Sequence, residues 1–320
     1  MPETKTYQFF PEIEPNKEYQ ISCGDIHTIY VEESGNPNGQ PIVFLHGGPG
    51  GGCGAKQRRF FDPNHYRIIL FDQRGCGKSE PLGETLENTT DYLINDIETI
   101  RKHLKIEKWI IFGGSWGSSL ALAYGIKYSQ NLKGLILRGI FLSRKKELEW
   151  FLKDVDQFFP ENHELLLNHK DNIKKNNLVK EYTNLVFGSN FDVAKKAAIA
   201  WNRFEGSILK LLPSISDDFE GREINYEFEL ARAKVQLHYI NNFCFIDGDE
   251  ILSKTKVLKN IPITIIQGRY DMVCPPKTAY DLKKQLPHSE LVIVPDAGHS
   301  ASESGILSSL ISATEKFKSL

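Results

Sequence analysis

The triplet Gly113-x-Ser115-x-Gly117 closes an apolar run, Lys108-Trp-Ile-Ile-Phe-Gly-Gly114, and opens a stretch of helix formers, Ser119-Leu-Ala-Leu-Ala-Tyr-Gly-Ile126. A serine between glycines at a strand-to-helix junction suits a strained turn that holds its hydroxyl clear of a sheet. Such a hydroxyl attacks at neutral pH only when a base takes its proton, and the base needs an orienting acid. Two later loops offer them. The apolar run Ile261–Ile266 leads into Gln267-Gly-Arg-Tyr-Asp271-Met-Val-Cys-Pro275, and Leu291–Val294 leads into Pro295-Asp-Ala-Gly-His299-Ser300. Asp271 is the expected acid and His299 the expected base. Asp296 is three residues from His299 and is expected to shape that loop instead. Of the nine histidines, His103, His163 and His169 lie in polar helix-like stretches and are expected at the surface, and His238 falls in a different region of the chain. Acyl transfer also needs backbone N–H donors for the oxyanion of the tetrahedral intermediate. His46-Gly-Gly-Pro-Gly-Gly-Gly52 follows an apolar run and can bring its backbone close. The expected donors are Trp116, next to the nucleophile, and Gly48, with Gly47 as the alternative.

These residues need a scaffold that brings strand ends together. Pro41–Leu45, Tyr66–Phe71, Trp109–Phe112 and Leu132–Leu137 are short, nearly continuous apolar runs, as expected of parallel strands covered on both faces. Gln20–Ser22 and Thr28–Glu32 flank Cys23-Gly-Asp25 and predict an antiparallel hairpin at a sheet edge. Asp91–Leu104 carries apolar residues at helical spacing, at Leu93, Ile94, Ile97, Ile100 and Leu104. Between about Leu142 and Phe243 strand-like runs give way to helical segments, Leu148–Phe159, Asp192–Leu211 and Tyr226–Ile240. The expected fold class is α/β: a mostly parallel central sheet with helices on both faces and an inserted all-helical cap. The expected division is a core of residues 1–141 and 244–320 and a cap of residues 142–243. Ligands of open α/β sheets bind at the strands' carboxyl ends, which the cap would cover.

The 320 residues carry 39 Lys and Arg against 41 Asp and Glu, a formal charge of −2. No field for recruiting nucleic acid or an anionic membrane is implied. No run reaches the roughly 20 apolar residues of a membrane span. The leading Met1-Pro-Glu-Thr-Lys-Thr-Tyr7 lacks a signal peptide's apolar stretch. Five scattered cysteines, Cys23, Cys53, Cys76, Cys244 and Cys274, lack metal-ligand spacing and read as free thiols in a reducing cytoplasm. Asp72-Gln-Arg-Gly-Cys-Gly-Lys-Ser79 lacks the first glycine of a phosphate-binding loop and is expected to buttress the site.

With HGGPGGG, DQRGCGKS, GGSWGSSLAL, GRYDMVCP and DAGHS in this order, the chain resembles the proline iminopeptidases of the α/β-hydrolase superfamily over essentially its whole length. Leu137–Leu142, Trp201-Asn-Arg-Phe-Glu205-Gly and His238-Tyr239 extend the resemblance. It implies release of an N-terminal proline from peptides by a serine triad, with no metal or cofactor. A free amino terminus is mostly protonated, with a reference pKa of about 8, so such an enzyme needs a carboxylate to hold it. The resemblance places Glu205 in that role. It places Gln236 where relatives typically carry a second glutamate, with its amide oxygen left to accept from the ammonium. It puts Phe141 and Cys274 in a slot for the prolyl ring, and Leu152 and Ile240 at positions usually aromatic. Arg138 is expected to shape the site near the acid groups of the cap, with a structural salt bridge as the alternative. Those departures keep a broader aminopeptidase, amidase or esterase open as an alternative. A ligand receptor of the same fold without catalysis is the alternative from another class, and the Ser115, Asp271 and His299 set argues against it.

Overall fold

The computed structural model describes residues 6–169, 173, 177–212 and 224–320. The reading of the amino-terminal stretch therefore falls partly outside the described residues. The eight strands are β1 (Lys17–Cys23), β2 (His27–Gly35), β3 (Gln40–Leu45), β4 (Tyr66–Phe71), β5 (Trp109–Gly114), β6 (Leu132–Arg138), β7 (Ile263–Gly268) and β8 (Glu290–Val294). They form one sheet in the order β1-β2-β4-β3-β5-β6-β7-β8. β1 pairs antiparallel with β2, and β2 antiparallel with β4; every later pairing is parallel. The expected edge hairpin is present, with Cys23 opposite His27.

Strand alternation explains the layers. Ile111 and Trp109 of β5, with Val43 and Leu45 of β3, join one buried cluster, while Ile110, Phe112, Ile42 and Phe44 join another on the opposite face. Helices α2 (Thr90–His103), α3 (Trp116–Lys127), α9 (Gly248–Lys254) and α10 (Pro276–Gln285) cover the first face. The short α1 (Ala55–Arg58) is followed by Phe60 and Phe61, which pack with α11 (Ser304–Phe317) on the second. Between β6 and α9 the described residues are helical or irregular: α4 (Lys145–Leu152), α5 (Pro160–Leu167), α6 (Leu178–Val186), α7 (Phe191–Ser207) and α8 (Tyr226–Asn241). They enclose their own apolar cluster, including Phe151, Tyr182, Trp201, Phe204 and Leu237, against which Phe141, Met272 and Val273 pack.

Leu148–Phe159 is not the single helix the sequence predicts. α4 stops at Leu152, residues 154–157 make a 3-10 turn, and α5 starts on Pro160. His163 is the reason visible here. Its imidazole is buried and reaches the Leu152 carbonyl at 2.9 Å, taking an acceptor that a continuing helix would use. His163 is thus a structural core residue and not a surface one. His103 is exposed, as expected, and His169 is half-buried.

A buried carboxylate ties α2 to α3. Glu98 accepts from Arg101 at 2.8 and 2.9 Å, from the Tyr124 hydroxyl at 2.5 Å and from Asn131 at 2.9 Å. Burial pushes its pKa up, but the Arg101, Tyr124 and Asn131 contacts outweigh this and hold it down at about 2, against an ordinary 4.5. A depressed carboxylate stabilises the fold fully above its unfolded value and loses that contribution as pH falls through its folded value. Glu98→Gln is therefore expected to lower the urea midpoint most near neutrality, with the gap to wild type shrinking as pH drops from 4.5 toward 2. A gap of constant size across that window in pH-stepped urea titrations would refute the linkage.

Candidate active site

Every triad candidate sits just past the carboxyl end of a strand. Ser115 follows β5, Asp271 follows β7 and His299 follows β8. In the parallel register Gly114 of β5 lies beside Arg138 of β6, and Arg138 beside Ile266 of β7, so these ends converge.

Ser115 has φ +57° and ψ −127°, a strained conformation between β5 and the first residue of α3. The flanking glycines are required by crowding. A Cβ at Gly117 would lie 2.0 Å from the Leu45 carbonyl oxygen, and one at Gly113 would lie 2.3 Å from the Gly117 carbonyl oxygen.

The Asp271 carboxylate is buried and fully engaged. The N–H groups of Val273 and Cys274 donate to Oδ1 at 3.0 and 2.7 Å, and the Gln267 amide donates to Oδ2 at 3.0 Å. His299 Nδ1 lies 2.8 Å from the same Oδ2. With Oδ2 ionised, this contact sets the N–H on Nδ1 and leaves Nε2 as the acceptor. The histidine loop is held from the cap: the Leu209 carbonyl accepts from the N–H groups of His299 and Ser300, both at 2.9 Å. Glu303 accepts from Gly298 N–H at 3.1 and 3.0 Å and from Leu211 N–H at 2.9 Å. Glu303, rather than Asp296, thus shapes this loop. It lies beyond the motif, where nothing in the local sequence marks it.

The glycine loop wraps toward the serine. A Cβ on Gly47 would be 3.2 Å from Ser115 Cβ. Among the described residues, the N–H groups of Gly47, Gly48 and Trp116 have no hydrogen-bond acceptor, so all three are free to face an oxyanion. The Asp72–Ser79 loop braces this arrangement. Gln73 N–H donates to His46 Nε2 at 3.0 Å, its amide donates to the His46 carbonyl at 2.9 Å, and its amide oxygen accepts from the Trp116 indole at 2.9 Å. Burial pushes the His46 pKa down, which keeps it a neutral acceptor there.

A small cavity of about 30 Å³ is lined by Ser115, Gly48, Phe141, Cys274, Glu205, Gln236 and Ile240, with Leu148, Phe151 and Val273 completing it. That volume holds on the order of two water molecules. Leu152 is not among these residues; it packs with the cap's own core. Leu148 and Phe151 of α4 take the place the sequence reading gave it, one helical turn and one residue earlier. Burial raises the Cys274 thiol pKa well above its ordinary value, and Asp271 adds to this, so the thiol beside Ser115 stays protonated.

Above the serine, Glu205 of α7 is buried and already paired. Arg232 of α8 donates to Glu205 Oε2 at 2.8 Å, and the Gln236 amide donates to the same oxygen at 3.1 Å. The Gln236 amide also reaches the Gly48 carbonyl at 3.2 Å. Its oxygen, expected to be open to an ammonium, instead accepts from the Trp201 indole at 2.6 Å. Gln236 therefore spans Glu205, the glycine loop and Trp201 as a brace. No sequence pattern marks Arg232 or Trp201 as part of the site, because a helical Arg or Trp four and thirty-five residues from Gln236 carries no local signal of a shared site. Arg138 is also elsewhere than expected. It lies against His299 rather than the cap's acidic residues, with Nη1 2.9 Å from Nε2.

Away from the triad, a larger groove of about 470 Å³ lies between β8 and α11, lined by serines, Glu290 and Lys316, and it holds no paired nucleophile and base. Among the described residues, no group of three or more His, Cys, Asp or Glu could hold a metal ion, and no helix is long and apolar enough to cross a membrane.

A serine on a strained strand-to-helix turn, a later acid and histidine, and a helical insert after β6 define an α/β hydrolase. The family profile of the alpha/beta hydrolase fold matches residues 40–305. Among solved structures, bromoperoxidase from Bacillus anthracis superposes with a TM-score of 0.63 at 18% identity, covering 95% of this chain and 100% of that one, which speaks to fold alone. Within this class the chain belongs to the proline iminopeptidase family. It is 45% identical to the proline iminopeptidase of Arabidopsis thaliana, covering 97% of this chain and 82% of that one. It is 42% identical to that of Xanthomonas citri, covering 96% and 98%. The Neisseria gonorrhoeae proline iminopeptidase is 40% identical, covering 92% and 94%.

Proposed function

We propose that this protein releases N-terminal proline from peptides by acyl transfer on Ser115. The observation that carries this reading is a carboxylate, Glu205, lining the same small, mostly apolar cavity as the serine. A free amine held there would stand a fixed distance from the nucleophile, which sets the register of the prolyl carbonyl on Ser115. His299 takes the Ser115 proton as the hydroxyl attacks the prolyl carbonyl, and Asp271 holds the imidazole in the required tautomer. The N–H groups of Trp116 and Gly48 stabilise the oxyanion. His299 then protonates the departing amine, and a water activated by the same nitrogen releases proline. Phe141, Cys274 and Ile240 form the ring slot. No metal or cofactor enters this scheme.

The chain divides, in this reading, into a catalytic core of residues 1–141 and 244–320 and a cap of residues 142–243. Its five free cysteines and the absence of a membrane-spanning helix among the described residues agree with a cytoplasmic enzyme acting on small peptides. A broader aminopeptidase is the second reading, favoured by one observation: Arg232 already occupies Glu205, and Gln236 adds no charge.

A panel of proline, alanine and leucine naphthylamides, with acetyl-proline naphthylamide included, separates the two. The expected result is a kcat/KM for proline at least about tenfold above the others, because a ring-shaped slot and a fixed amine each contribute roughly 1–3 kcal/mol of discrimination. Equal turnover of all free-amine substrates would defeat the proline assignment.

A further inference from the structure

We propose that Arg138 is a carboxylate sensor that holds the triad open at rest and is drawn away by the free carboxylate of a short peptide's second residue. The inference rests on the serine-peptidase reading and adds a preference on the leaving-group side.

The imidazole has one acceptor lone pair, on Nε2, because Nδ1 carries the proton shared with Asp271. The Arg138 guanidinium has donors only. Its Nη1 lies 2.9 Å from Nε2 and also donates to the His299 carbonyl at 3.1 Å. The nitrogen that must receive the Ser115 proton is therefore already hydrogen-bonded to a cation. Among the described residues, Ser115 Oγ makes no hydrogen bond to His299; it interacts with the Cys274 thiol. The two donors compete for one lone pair, and the reaction requires Arg138 to yield it.

Arg138 is poorly held where it is. Among the described residues no carboxylate lies within ion-pair distance of it, and its Nε is buried with no partner. Burial pushes its pKa down, Asp271 partly opposing this, as expected of a desolvated cation without a contact ion pair. The guanidinium lies over the Gly114 backbone, where a Cβ would come within 2.6 Å of Nη2, so a bare glycine makes room for it. A carboxylate offering two parallel acceptors would satisfy this fork better than one imidazole nitrogen and one carbonyl.

The leaving-group geometry supplies such a carboxylate. The departing amine must approach His299 Nε2 to be protonated, so the residue after proline passes Arg138. In a dipeptide that residue carries the terminal carboxylate one carbon from the departing nitrogen. An amide, an ester or an arylamine in its place offers no anion.

The test compares Pro-Gly with Pro-Gly-amide, in wild type and in Arg138→Met, with free proline measured directly. Wild type is expected to favour the free acid in kcat/KM by about 10- to 100-fold, the range for hydrogen bonds to a charged group. In Arg138→Met the ratio should fall to within about threefold, with turnover of the amide rising as Nε2 is released. Arg138→Lys, which keeps one donor and the charge, should retain part of the ratio. The ratio is internal to each protein, so partial misfolding does not alter it. An unchanged ratio in Arg138→Met, or equal loss on both substrates, would overturn the sensor. If wild type cleaves neither peptide, the prolyl reading itself fails instead.

Discussion

Ser115→Ala is expected to lower kcat on proline naphthylamide by on the order of 10⁶-fold, as removal of the nucleophile does when a triad acts as a unit. The residual rate should come from the oxyanion donors and from substrate positioning alone. Alanine tolerates φ +57° no better than serine, so the turn keeps its strain and the melting temperature should change little. His299→Ala in the Ser115→Ala background should cost almost nothing further, because the base has no proton to take. The decisive measurement is single-turnover hydrolysis by the purified variant beside its melting curve. Undiminished turnover would remove Ser115 from the chemistry and with it the whole acyl-transfer scheme.

The second large effect is expected at Glu205, where two substitutions should pull in opposite directions. Glu205→Gln removes the carboxylate while keeping its shape. The proline naphthylamide kcat/KM should fall about 100-fold, the scale for losing a buried charge-assisted hydrogen bond. The acetyl-proline substrate, which has no ammonium, should lose far less, so the preference for a free amine collapses. Arg232→Gln instead removes the cation that lies 2.8 Å from the same oxygen. It leaves Glu205 with the Gln236 amide alone, which should favour ammonium binding and lower KM for free-amine substrates severalfold. Steady-state kinetics on both substrates, for both variants, read this directly. If the two variants shift the free-amine preference in the same direction, Glu205 is a structural member of the α7–α8 contact and not the amine's partner.

The contrast between these residues shows why some of the site was readable from the chain and some was not. Ser115, Asp271 and His299 each follow a short apolar run, and a parallel sheet delivers the ends of such runs to one edge whatever their separation in sequence. The glycines around Ser115 and in the His46–Gly52 loop were equally legible, because tight turns admit no side chain there; a Cβ added at Gly117 would lie 2.0 Å from the Leu45 carbonyl oxygen. The inserted helices stood out because apolar spacing changed from strand-like to helical. The failures all lie where a helix rotates or a side chain chooses among partners. Leu152 and Phe151 are neighbours in sequence, but only Phe151 turns toward the cavity. Gln236 looked like an open acceptor until the Trp201 indole, thirty-five residues away, took its oxygen.

The sequence by itself thus determined the run of strands along the chain, the helical insert, the candidates for nucleophile, acid and base, and the loop proposed to face an oxyanion. Local rules decide these: periodicity of burial, the sterics of glycine, and the need for a base downstream of an activated serine. Only the tertiary structure decided how charge is shared around them. It put Arg232 on Glu205, turned Gln236 into a brace, and set Arg138 on Nε2 of His299. Such choices depend on distances of about 3 Å between residues far apart in the chain, where each donor has several acceptors available and burial makes an unpaired one costly.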